Sequence, residues 1–177
     1  MNKRPIGISI LAVLHVIGGV VLVGLLLLLV AKFENLSPLA ADLGVSAPMF
    51  VASIVLLTLL TFAAGIGMWR GARWGWWTGA FYYLYSIVRH AGAIWLVYRL
   101  RDTLAGLPGG SETAHKQMIK FAGRIIVSAL IFAYFFKPSV LAYFRLEQFG
   151  RAKAIGILAA VTLAVYALLN AINGLTQ

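Results

Sequence analysis

The sequence predicts an all-α, polytopic transmembrane helical bundle of five spans, a single integral-membrane domain over residues 1–177. Three observations carry that expectation. Hydrophobic residues make up 62% of the chain and the mean hydropathy is +0.91, whereas soluble domains are about 45–50% apolar. Charged residues amount to 11%, too few to coat a soluble fold of this length. The apolar residues gather in five runs, about 6–31, 48–69, 74–98, 118–136 and 154–172. Each is close to the roughly 20 residues that a helix needs to cross a bilayer core about 30 Å thick. In lipid every backbone polar group has to be paired within its own segment, so the runs are read as helices.

The first run opens with "MNKRPIGISILAVL" and continues to Ala31. It is longer than the apolar stretch of a signal peptide, about 7–15 residues, and no small-residue cleavage site closes it. It reads as an uncleaved signal anchor and first span. Residues 32–47 carry Glu34 and Asp42 and suit a short surface helix opened by Ser37-Pro38.

The second and third runs meet in "GMWRGARWGWWTG", residues 67–79. As one helix, residues 48–98 would extend about 75 Å, more than twice the core thickness. The chain therefore has to turn. Arg70 and Arg73 mark a water-facing edge, and Gly71 can take the left-handed conformation that ends a helix. The stretch predicts a tight helical hairpin between spans 2 and 3. Gly67, Gly71, Gly75 and Gly79, four residues apart, are assigned to close helix packing. Trp69, Trp74, Trp76 and Trp77 are assigned to an interfacial aromatic belt.

Residues 102–115, "DTLAGLPGGSETAH", read as a flexible loop with His115 in solvent. The uncharged part of the fourth run, Ile125–Phe136, is too short to cross alone. It has to extend back past Arg124, whose side chain can snorkel to the surface. Over residues 137–153, Val140, Leu141, Tyr143 and Phe144 are followed by Arg145, Glu147 and Lys153. This mixture predicts an interfacial helix lying on the membrane before span 5.

The net charge is +10 and there is no cysteine. The missing cysteines exclude disulfides, thiolate metal sites and a thiol nucleophile. The basic residues sit at the ends of apolar runs, which points to anionic lipid headgroups as partners and away from nucleic acid. Lys3, Arg4, Arg70, Arg73, Lys137, Arg145, Arg151 and Lys153 fall on the N-terminal side. Lys32, Arg99, Arg101, Lys116, Lys120 and Arg124 fall on the other. The positive-inside rule then places the N-terminus in the cytoplasm and the C-terminus outside.

The opening "KRPIG", the turn "RGARWGWW" and the exit "FFKPSVLAYF" resemble small uncharacterised multipass bacterial inner-membrane proteins. The resemblance implies a location in the bacterial cytoplasmic membrane. It carries over neither an activity nor functional residues.

Three groups of polar residues fall inside the runs. The third run holds Tyr82, Tyr83, Ser86, Arg89 and His90 on one broad helical face. The fifth holds Thr162, Tyr166, Asn170 and Asn173 on one face, and the first holds His15. Thr58, Thr61 and Ser128 are lesser members. Arg89 stands out: it lies about 9 Å along the helix from the nearer belt residue, Trp95. An arginine in a bilayer core costs about 2.5–3.5 kcal/mol on insertion scales, so it should face protein or water. No Asp or Glu lies in any of the five runs to neutralise it. A structural role ties Arg89 to Tyr166 and Asn170. A functional role makes Arg89, with His90, Tyr82, Ser86, Tyr166, Asn170 and His15, a site for an anionic headgroup or a small anion.

Other chemistries find less support. His15 and His90 on facing helices could ligate a haem, but neutral packed histidines account for them more simply, and no cofactor or metal is expected. Ser86 and His90 stand one turn apart, yet no carboxylate is at hand to orient a catalytic histidine. "LPGGSET" lacks the Gly-Lys-Ser/Thr ending of a phosphate loop. The leading expectation is a non-enzymatic accessory or scaffold subunit, or a homo-oligomer, acting through helix–helix and lipid contacts. The alternative is a small transporter, channel or lipid-binding protein with an anionic site at Arg89. A water-accessible cavity reaching Arg89 would favour the alternative.

Overall fold

The computed structural model describes residues 4–31, 47–101, 106 and 110–175. Among them every regular element is a helix: α1 (Ile6–Ala31), α2 (Ala47–Arg70), α3 (Arg73–Arg99), α4 (Gly110–Phe135), α5 (Pro138–Tyr143) and α6 (Arg151–Leu175). The surface helix expected within 32–47 lies outside the described residues. Among the described residues, three helical stretches are long and apolar enough to cross a membrane: Ile6–Ala31, Gly110–Phe135 and Arg151–Leu169. In α2 the apolar stretch is shorter, Ile54–Arg70, and α3 is interrupted by Arg89, His90 and Ser86.

Helix α1 begins at Pro5, whose carbonyl accepts from the amides of Ile8 and Ser9 at 3.0 and 3.2 Å. One face of α1 packs along α2, and α3 packs on α2, α4 and α6. The outer face of α1 is bare: Leu14, Ile17, Val21, Leu27 and Leu28 are all more than half exposed. Such a continuous apolar surface suits lipid and not water.

Between α2 and α3 the chain turns in two residues. Gly71 takes φ +64°, its amide donates to the Met68 carbonyl at 3.3 Å, and the Ala72 amide donates to the Gly67 carbonyl at 3.0 Å. This pair of bonds is a Schellman motif, which satisfies carbonyls that the helix end leaves open. Tyr143 of α5 places its hydroxyl 3.0 Å from the Trp69 carbonyl and 3.2 Å from that of Met68, and its ring covers Gly71. Past the turn the helices touch backbone to backbone. A Cβ on Gly75 would lie 2.6 Å from the Gly67 Cα, so only glycine permits this approach.

The tryptophans of the turn divide. Trp69 and Trp74 are about half exposed, whereas Trp76 is 1% exposed. Its indole Nε1 donates to the Phe135 carbonyl at 2.9 Å. Trp77 meets Phe149 edge-on. The expected belt of four is thus two half-exposed rings, of which Trp74 covers Gly67, and two that hold α3 to the chain around α4 and α5.

The interfacial helix expected over 137–153 is replaced by the six-residue α5 and a turn at Arg145, φ 58°. Val140, Leu141, Phe144 and Leu146 are buried in the protein core rather than laid on lipid. A short helix closing the bundle end removes its apolar residues from solvent as well as a membrane surface does. Of the flexible loop expected over 102–115, residues 102–105 and 107–109 lie outside the described residues, and residues 110–115 are instead the start of α4. Glu112 in its first turn pairs with Lys116 at 2.5 Å, a spacing and polarity that favour a helix start. His115 is exposed, as expected, but on this helix.

Burial changes character along the bundle. The apolar core joins Ile8, Ala64, Met68, Trp76, Ala80, Phe135, Phe144 and Leu158, all near the end where α2 turns into α3 and α4 into α5. Further along, the buried side chains are mostly polar: His15, Thr58, Thr61, His90, Ser128 and Thr162. One end of the bundle is therefore dry and aromatic, and the middle is polar.

Candidate functional site

In the polar middle a cavity of about 640 Å³, open to the surface, lies between α1, α2, α3 and α4. Helix α3 supplies Tyr82, Tyr83, Ser86, Arg89 and His90 to its wall, the rows that a 3.6-residue period brings to one side. His15 comes from α1 and Thr61 from α2, while α4 adds Lys120, Arg124 and Ser128. On α4 these three follow Glu112 and Lys116 at four-residue intervals, so one polar stripe runs from the start of the helix to its middle.

Part of the wall is a hydrogen-bonded frame. His15 Nε2 is 3.1 Å from the Tyr83 hydroxyl, which ties α1 to α3, and the His15 ring meets Tyr82 edge-on with centroids 4.8 Å apart. Ser128 donates to the Ser86 hydroxyl at 3.2 Å, which ties α4 to α3. His90 Nδ1 lies 2.7 Å from the Ser86 carbonyl and 3.2 Å from its hydroxyl. A carbonyl only accepts, so Nδ1 carries the proton and is no base for that hydroxyl. Thr58 and Thr61 donate to carbonyls one turn back, at 2.7 and 2.6 Å, and are satisfied within α2.

The rest of the wall is cationic. Arg89, Lys120 and Arg124 are exposed and all line the cavity. No carboxylate joins them among the described residues of the wall. Three like charges around one volume repel one another. A bound anion would relieve it, with the two guanidiniums offering planar, paired donors suited to phosphate or carboxylate.

The structure brings His15, Tyr82, Ser86, Arg89 and His90 to this cavity, and leaves Tyr166 out. The Tyr166 hydroxyl sits on Gly92, where it occupies the space of a Cβ. Asn170 belongs to α6, but its side chain lies outside the described residues. Thr162, on the same face of α6, is fully buried. The polar stripe of α6 is therefore not continuous with the cavity wall. Gly67, Gly71 and Gly75 occupy the turn and the close contact beside it, and Gly79 lies under Met68 and Phe135.

Lys120 and Arg124 are the wall residues that the sequence reading missed. They stand at the edge of an apolar run, where snorkelling is the simplest assignment. The i, i+4 row from Glu112 to Ser128 is the signal that could have placed them on one inward face. Among the described residues, no group of three His, Cys, Asp or Glu side chains comes together to hold a metal ion. No protein-family model, curated protein or solved structure matches the chain.

Proposed function

We propose that this chain is a five-crossing integral-membrane protein of non-enzymatic type that binds an anionic ligand in its cation-lined cavity. One observation carries the reading: Arg89, Lys120 and Arg124 share a cavity of about 640 Å³ with no carboxylate among its described wall residues. An accessory or scaffold subunit needs contact faces but has no use for such a cavity, so the anion-binding reading is preferred. Helices α2 and α3 form a transmembrane hairpin with its turn in the cytoplasm, and α1, α4 and α6 supply the other crossings. The membrane is the bacterial inner membrane, with the N-terminus inside and the C-terminus outside. The natural partners are anionic lipids or small anions reaching the cavity from the membrane or the outer face.

The test is native mass spectrometry of protein purified in a mild detergent. The wild type should retain an anionic lipid or solute, Arg89→Leu should lose it, and Arg89→Lys, which keeps the charge but not the planar fork, should hold it more weakly. If all three proteins carry the same ligands, or none, Arg89 is structural and the accessory-subunit reading takes its place.

A further inference from the structure

Arg89 also lines a second cavity, of opposite chemistry. This one measures about 410 Å³ and is walled by Leu56, Leu57, Phe81, Tyr85 and Leu169, between α2, α3 and α6. Arg89 is its only charged wall residue, and the only residue common to both walls among those described. The helical period explains how one residue serves both. Phe81, Tyr85 and Arg89 form one four-residue row on α3, and Tyr82, Ser86 and His90 form the row beside it. The stem of Arg89 is apolar and its tip is not, so it can cover hydrocarbon and still hold an anion.

We infer that the ligand is an anionic phospholipid, its phosphate held by Arg89, Lys120 and Arg124 and one hydrocarbon chain lying in the cavity between α2, α3 and α6. This inference rests on the anion-binding reading and adds the class of ligand. A free anion would satisfy the cations but leave the apolar cavity to unselected lipid. A neutral lipid would fill the apolar cavity but bring no net charge to three cations that share their wall with no carboxylate among the described residues. An anionic phospholipid does both, and Arg89 sits where head and chain join. The guanidiniums favour a phosphate because they can donate to it in pairs.

The experiment uses the full chain in phosphatidylcholine nanodiscs doped with phosphatidic acid that carries a diazirine midway along one chain. Phosphatidylcholine with the same chain is the control. Irradiation should label peptides containing Leu56, Tyr85 and Leu169 from phosphatidic acid, and far less from the control. Arg124→Leu does not touch the apolar cavity, yet it should lower that labelling about tenfold, the factor expected for one lost charge-assisted hydrogen bond. In parallel, inorganic phosphate is titrated at constant ionic strength against the thermal unfolding of protein in a neutral detergent. If the two lipids label alike, or if Arg124→Leu leaves the labelling unchanged, the amphiphile inference is overturned. An Arg124-dependent response to inorganic phosphate then shows that the anion site survives it. No response to inorganic phosphate together with no preference for phosphatidic acid overturns both.

Discussion

The indole Nε1 of Trp76 donates to the backbone carbonyl of Phe135 at 2.9 Å, fastening the start of α3 to the last residue of α4. That carbonyl is one of the four that a helix leaves open at its C-terminus. Trp76 therefore both fills the dry end of the bundle and caps a neighbouring helix. Trp76→Phe should lower stability by about 1 kcal/mol through the lost hydrogen bond. Trp76→Ala should lower it by about 3 kcal/mol through the cavity it leaves. Trp74→Ala, at a half-exposed ring, should change little. Thermal unfolding in detergent ranks the three, and an equal effect of Trp74→Ala and Trp76→Ala would mean that the buried anchor does not matter.

The contact between Gly67 and Gly75 makes a second expectation. Gly75→Leu has to force the helices apart at the turn, an overpacking effect of about 1–3 kcal/mol or more. Nothing lies within 4 Å of a Cβ on Gly24, so Gly24→Leu should be close to neutral. The melting temperatures of the two variants decide it. Equal small shifts would make the four-residue glycine spacing coincidental.

Arg145 is a non-glycine residue at φ 58°, in the turn that follows α5. Its amide donates to the Ala142 carbonyl and that of Leu146 to Leu141, at 3.2 and 2.9 Å, the same pair of bonds that ends α2. A left-handed conformation costs an L-residue about 1–2 kcal/mol. Arg145→Gly and Arg145→Ala both remove the charge, so their difference isolates the backbone. The glycine variant should be the more stable by about 1 kcal/mol. An alanine variant of equal or greater stability would contradict the turn geometry.

The five-crossing reading places the α2–α3 turn and the start of α4 on opposite sides of the membrane. The chain has no cysteine, so single cysteines at Ala72 and Gly110 can be labelled without background. An impermeant thiol reagent should reach one from the cytoplasmic side and the other from outside. Labelling of both from one side would remove the crossing by α3.

Helix limits were legible in the sequence because they depend on local properties. The apolar runs read as 48–69 and 74–98 are the helices Ala47–Arg70 and Arg73–Arg99. The Arg70–Arg73 pair and Gly71 locate the break, since a helix that leaves an apolar environment has to end near its charges. The α4 limit was read eight residues too late, at 118 rather than 110, because hydropathy is blind to a polar first turn stabilised by Glu112 and Lys116.

By itself, the sequence determined the helical class and the apolar character of the helices, both properties of a single segment. The tertiary structure alone decided which side chains face one another. Trp74 and Trp76 are two residues apart, yet one is half exposed and the other is buried, because successive helix positions point in different directions and only packing says which is inward. It also turned Val140 and Phe144 into the core. It joined Arg89 of α3 to Lys120 and Arg124 of α4 around one cavity. Residues more than thirty positions apart have no shared period along the chain. Their meeting depends on how α3 and α4 lie against each other, and that is a property of the folded bundle.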